Sequence, residues 1–162
     1  MEITVREAGP EDADSLAELN VVVQELHYRH HPSCFRKSDK GQVADWFGKM
    51  MTADRTHIWL AEVDSSPAGY VLAIEHYRDG NPFCLPRTCM EIDQIAVRED
   101  MQRKGIAARL MEQVRKKAIE KGIETLELSS WEFNSHAQEA FRRMGFEPRV
   151  TRFGMEIEND RN

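Results

Sequence analysis

Two carboxylates, Glu91 and Asp93, stand two residues apart, a short way before the polar, basic turn Gln102-Arg103-Lys104-Gly105-Ile106-Ala107. Carboxylates so placed can accept a proton or hold a cation, or they can simply line the wet face of a strand. The turn invites the opposite partner. Backbone N–H groups at a helix start have no acceptor within the helix, and the helix dipole favours an anion beside them. Arg103 and Lys104 add positive charge, while Gly105 and Ala107 let a bulky phosphate come close to the backbone. The stretch reads as a pyrophosphate cradle. A Gly-containing turn before a helix is common, so its weight comes from what surrounds it.

The elements that must position these residues are a strand and a helix. Ile92, Ile95 and Val97 alternate with Glu91 and Asp93 as in a strand with one buried and one wet face, and the alternation slips near Gln94 and Ile95 as a β-bulge would make it. After the turn, Ile106, Leu110, Val114 and Ala118 form the apolar stripe of a helix that ends near Gly122. Lys116, Lys117 and Lys121 complement the dipole at its C-terminus, which explains them without a basic binding patch.

Earlier in the chain, Ile3 and Val5 mark a first strand, and residues 10–28 a helix that begins at Pro10. Pro32 then breaks the pattern. His27, His30, His31 and Cys34 fit neither zinc-ligand spacing nor an HExxH face, so the segment reads as a polar loop with no metal. Residues 39–52 read as a second helix. Residues 57–63 and 70–77 form a hairpin around a turn at 64–69, and residues 78–87 form a Pro- and Gly-containing loop. Leu126 and Leu128 mark a further strand, Asn134 starts the last helix, and residues 150–157 are expected to close the sheet.

Two motifs in this order resemble those of the GNAT superfamily of N-acetyltransferases. Gln102-x-x-Gly105-x-Ala107 is similar to the acyl-CoA signature Q/R-x-x-G-x-G/A, and Asn134-x-x-Ala137-x-x-Ala140-Phe141-x-x-x-Gly145-Phe146 to the family's late helix motif. The resemblance runs from the first strand to about residue 157. It implies one α+β domain over residues 1–162, with a central mixed, mostly antiparallel sheet flanked by about four helices.

The resemblance also implies acetyl-CoA as co-substrate and an amine as acceptor. The backbone of Ile95, Ala96 and Val97 would pair with the pantetheine arm. Gln102 would open the signature, the N–H groups of Arg103, Lys104, Gly105, Ile106 and Ala107 would hold the pyrophosphate, and Asn134 would lie near the pantetheine. By its distance from Val97, Glu91 matches the family's general base, with Asp93 as a second acid that could raise the Glu91 pKa or bind a cationic acceptor. By region, His27, Tyr28, His31 and Phe35 would shape the acceptor pocket. The departure is Phe141, where many members carry a tyrosine that protonates the leaving thiolate; Tyr28, Tyr70, Ser129, His136 or water could serve instead. Phe141 would equally suit a non-catalytic acyl-CoA-binding sensor.

Composition narrows the alternatives. The chain has 162 residues, 41% hydrophobic and 31% charged, with a formal net charge of −6. Its pI of about 5.5 makes nucleic acid a poor partner. No apolar run nears the roughly 20 residues needed to span a bilayer, and Met1-Glu2-Ile3-Thr4 does not read as a signal peptide, so a cytoplasmic enzyme away from membranes is expected. Cys34, Cys84 and Cys89 indicate neither a disulfide framework nor a zinc knuckle. Neither the Walker pattern nor the three-glycine dinucleotide fingerprint is present. Arg29, Arg36, Lys37 and Lys40 against Asp39 hint at an acceptor with a carboxylate beside its amine. Dimers are frequent among proteins of this kind, so a homodimer is kept open.

Overall fold

Five runs rich in β-branched, aromatic and aliphatic residues pair into one sheet: β1 (Ile3–Glu7), β2 (Thr56–Val63), β3 (Ser66–Arg78), β4 (Arg87–Val97) and β5 (Thr125–Leu128), in that spatial order. β1 to β4 are antiparallel neighbours, and β5 runs parallel to β4. A parallel neighbour needs a crossover, which α3 (Ile106–Glu120) supplies. α1 (Ala13–His30) and α2 (Lys40–Met50) link β1 to β2, and α4 (Ser135–Arg143) follows β5. The computed structural model describes residues 1–158. These form two compact units: Met1–Ser129 carries the sheet and α1 to α3, and the unit from Ser130 carries α4. The mixed, mostly antiparallel sheet with four α-helices is the expected α+β architecture.

The helices begin and end where local chemistry dictates. Pro10–Asp12 forms a short 3₁₀ turn, with Asp12 accepting from the Gly9 N–H at 2.8 Å, and α1 proper starts at Ala13. α1 stops at His30, just before the segment that Pro32 keeps from helix. Asp39 caps α2 by accepting from the Gln42 N–H at 3.0 Å.

Both faces of the sheet are covered. On one, Leu16, Leu19 and Phe47 from α1 and α2 pack on Ile58, Leu60, Tyr70, Leu72 and Ala96. On the other, α3 buries Ile106, Leu110, Val114 and Ala118. Glu75 is buried too; burial works against its charge, but Tyr77, His57 and Lys121 outweigh it and hold the carboxyl below its usual range. At Gly69 a Cβ would stand 2.8 Å from the Ala96 carbonyl and 3.2 Å from Ile106 Cγ2, so the absent side chain lets β3, β4 and α3 meet.

Two expectations are corrected. The hairpin turn is not residues 64–69: Asp64 and Ser65 alone turn the chain, with φ of 48° and 65°, and Val63 already pairs with Ser66. Two left-handed residues match the twist of the strands they join, so β3 starts earlier than its apolar run. Residues 150–157 do not close the sheet. They form no strand, and Val150, Phe153, Met155 and Ile157 are exposed. A period of two makes a strand only where a partner edge takes up its backbone groups, and this segment pairs with none of the described strands.

Candidate active site

β4 carries the two candidate acids, Glu91 and Asp93, and leads into the turn before α3. Its register against β3 shifts by one residue: Ile92 faces Ala73, Gln94 faces Leu72, and Asp93 between them has no partner. The bulge foreseen near Gln94 and Ile95 therefore lies one residue earlier, at Asp93. The shift places Glu91, Gln94 and Ala96 opposite Ile74, Leu72 and Tyr70, on the sheet face covered by α1 and α2.

The other edge of β4 changes character at the same point. Pairing with β5 ends at Ile92 and Leu128, so Ile95, Ala96 and Val97 are bonded to β3 alone. Their outward backbone groups meet no further strand among the described residues, leaving an edge that an extended chain could join. After Val97 the chain is pinned: the Arg98 N–H donates to Ala68 O at 2.9 Å and its guanidinium to Pro67 O at 3.1 Å.

The turn to α3 follows. Gln102 donates from Nε2 to Val97 O at 3.4 Å, and Lys104 from Nζ to Asp100 O at 2.9 Å. Arg103 and Gly105 take left-handed backbone, φ 61° and 81°, and Gly105 is the N-cap of α3 with nothing within 4 Å of where a Cβ would stand. None of the described residues accepts from the N–H groups of residues 103–107. A run of free donors beside exposed Arg103 and Lys104 suits a pyrophosphate, and the open edge of β4 suits a pantetheine arm. The structure thus gives the residues expected to hold acetyl-CoA in this unit, Ile95 to Val97 and Gln102 to Ala107, a layout that fits it.

At the near end stand the acids. Glu91 Oε2 lies 2.7 Å from Nε2 of His76 on β3. Desolvation first, then the Glu91 charge, raise the Asp93 carboxyl, against a bond from Gln94 and the pull of His76. Asp93 as a whole is exposed, so this is a bias on an accessible acid and not the trapping of a buried one. Beside it runs a buried chain of neutral groups. Asn20 of α1 donates to the Tyr70 hydroxyl at 2.9 Å, and that hydroxyl donates to Gln94 Oε1 at 2.8 Å. Burial pushes the Tyr70 phenol well above its usual value. Tyr70 is therefore a poor proton donor to anything outside the core: its proton is committed and its ring is sealed.

The other expected site residues fall into two groups. At the end of α1, Phe35 meets the rings of His27 and His31 edge-on, at 4.9 and 6.4 Å between centroids, and Lys37 lies over Tyr28. The region assigned to the acceptor is thus an aromatic cluster. Asn134 and Phe141 belong to the second unit. Asn134 caps α4 by accepting from the Ala137 N–H at 3.3 Å, and Phe141 packs edge-on against Phe146. His76, Gln94 and Asn20 were not foreseen. Only the register of β3 against β4 and the packing of α1 bring them to the acids, and no local spacing signals that.

Two surface hollows, one around Ala44 and Gly48 and one around Tyr77 and Gly122, are not lined by cradle residues. Among the described residues no cluster of three His, Cys, Asp or Glu side chains could hold a metal, and no helix is long and apolar enough to cross a membrane. All three cysteines are free; burial raises the Cys89 thiol to about 11.

With this geometry in place, comparison with known proteins gives the class. Residues 20–146 match the profile of the acetyltransferase (GNAT) family. The chain belongs to that family. Solved structures share its fold at low sequence identity. A tetramutant of the BH1408 protein from Bacillus halodurans superposes with a TM-score of 0.89 at 18% identity, covering 95% of this chain and 99% of that one. The aminoglycoside N-acetyltransferase AAC(6')-Iy in complex with CoA gives 0.76 at 16%, covering 98% and 95%. A transcriptional regulator from Bacillus halodurans C-125 gives 0.76 at 14%, covering 96% and 100%. No match was found among functionally curated proteins.

Proposed function

We propose that this chain is an acetyl-CoA-dependent N-acetyltransferase acting on a primary amine, of a small molecule, an amino acid or a peptide, by direct attack. The observation that carries this is the layout of β4: an acidic end at Glu91, an edge from the bulge to Val97 that no described strand covers, and free N–H groups at the start of α3. In this reading the backbone of Ile95 to Val97 holds the pantetheine arm, and an N–H there faces the thioester oxygen, where such a donor is worth roughly 3 kcal/mol. Residues 102–107 hold the pyrophosphate. The late motif carries Asn134 and Phe141 into the same function, which makes residues 1–162 one acetyltransferase domain.

The acceptor has to lose a proton. An alkylammonium has a pKa of about 10.4, so proton removal is centred on Glu91, with Asp93 beside it to hold a cationic acceptor. The cluster of His27, Tyr28, His31 and Phe35 would shape the acceptor pocket.

Glu91→Gln tests the assignment. Turnover in a CoA-release assay should fall by roughly 10²-fold while acetyl-CoA affinity is kept. Unchanged turnover would take Glu91 out of the chemistry. Phe141 supports a second reading, a non-catalytic acyl-CoA-binding module, because a phenyl ring has no proton for the leaving thiolate. That reading expects acetyl-CoA binding without turnover of any amine.

A further inference from the structure

The nearest partner of the acidic end of β4 is a histidine. His76 faces Cys89 while Glu91 faces Ile74, so the two are diagonal neighbours on one face of the antiparallel pair. Their side chains are 34% and 39% exposed, open to solution but held at both ends by strands. A carboxylate can only accept, so the hydrogen in the 2.7 Å contact sits on Nε2 of the imidazole. In the neutral ring Nδ1 then carries a lone pair, and no described residue hydrogen-bonds to it. The charged groups around the pair are Asp93, on whose carboxyl both Glu91 and His76 act, and Glu127 of β5, which faces Glu91 and is itself paired with Arg87; Cys89 faces His76, and Asn20 and Tyr70 from α1 and β3 are neutral.

We infer that His76 is the proton acceptor of the transfer and that Glu91 orients it and opposes the charge it gains. This rests on the N-acetyltransferase reading and deepens it by moving the proton from Glu91 itself to the imidazole that Glu91 holds. The substrate ammonium loses one proton to Nδ1 of His76, and the electron pair left on its nitrogen forms the bond to the acetyl carbon; the thioester C–S bond breaks, its electron pair leaves on the CoA sulfur, and the second proton given up by the nitrogen passes through solvent to that thiolate. The imidazolium so formed stands against the Glu91 carboxylate. A free imidazole, with a pKa near 6.5, takes a proton from an ammonium about two orders of magnitude less unfavourably than a free glutamate near 4.3. An imidazole with one nitrogen fixed by a carboxylate and the other facing the reaction is an arrangement that acyl-transfer sites on unrelated folds share.

The test uses the full chain with glycinamide, spermidine and kanamycin as probe amines. His76→Gln and His76→Asn should each lower kcat by roughly 10²-fold, with the KM for acetyl-CoA and the Tm unchanged. The acid limb of the kcat/KM profile should move to lower pH as a carboxylate takes over. His76→Gln combined with Glu91→Gln should be no more than about threefold worse than the poorer single variant, because the two act as one unit. Wild-type kcat with an unmoved acid limb in both His76 variants overturns the inference. Should none of the three amines be turned over, ring nitrogen NMR decides: the Nε2–H form hydrogen-bonded to Glu91, disturbed by Glu91→Gln, is expected, and an Nδ1–H ring overturns it. Loss of acetyl-CoA binding in a calorimetric titration of the wild type would instead show that the acetyltransferase reading itself had failed.

Discussion

Tyr70→Phe isolates a single hydroxyl at the foot of the active strand. Tyr70 is fully buried, and its ring meets Phe47 edge-on at 5.3 Å; a phenylalanine keeps that packing. What it loses is the oxygen that accepts from Asn20 at 2.9 Å and donates to Gln94 at 2.8 Å. Each bond contributes about 1 kcal/mol net, and leaving buried Asn20 without its main acceptor adds to the cost. Asn20 also lies 3.4 Å from Gln94 Oε1, and shortening that contact recovers part of the loss. The balance is about 2 kcal/mol, which for a chain of this size lowers Tm by about 4–8 °C. Differential scanning calorimetry reads this directly. Gln94 follows the bulge, so the KM for the acceptor should rise more than that for acetyl-CoA. A Tm within about 1 °C of wild type would refute the claim that the hydroxyl anchors the bulge.

Other perturbations separate the scaffold from the site. Gly69→Ala places a methyl 2.8 Å from a backbone carbonyl of β4, so it should cost about 1–3 kcal/mol in chemical denaturation; no loss would mean that β3 and β4 can part there freely. Asp12 accepts from Arg6 at 2.7 and 2.9 Å, and these bonds hold its carboxyl below the ordinary 3.8, with burial opposing and the Gly9 N–H assisting. A depressed folded pKa gives stability that is complete above pH 3.8 and lost as pH falls through the depressed value. The Tm of Asp12→Asn should therefore fall less steeply than that of the wild type as the pH is lowered through 3.8 and below; parallel slopes would contradict the assignment.

How legible this was follows from the range of the interactions. The strand, turn and helix of residues 91–120 rest on local pattern and local backbone chemistry, and the sequence carried them, including the slip that became the bulge at Asp93. The hairpin turn was misplaced because Asp64 and Ser65 reverse the chain in two residues that carry no Gly signal. The tail at residues 150–157 has the alternation of a strand, but alternation does not say whether an edge is available. Glu91 was singled out by the family resemblance, through its distance before Val97 on one strand. His76 could not, since fifteen residues and a hairpin separate it from Glu91 and only the register of β3 against β4 brings the two together. Asn20 on α1 is further still from the acids in sequence, and it reaches them only through a buried tyrosine.

The central claim is that the free edge of β4 and the start of α3 hold acetyl-CoA. Isothermal titration of the full chain with acetyl-CoA, set beside CoA and beside Gly105→Glu, tests it most directly. The variant puts a carboxylate where the donors at residues 103–107 would meet phosphate, at a glycine whose φ of 81° a side chain also strains. The account predicts micromolar binding of both ligands by the wild type and its loss in a variant that still folds. No binding by the wild type, or undiminished binding by Gly105→Glu, would contradict it.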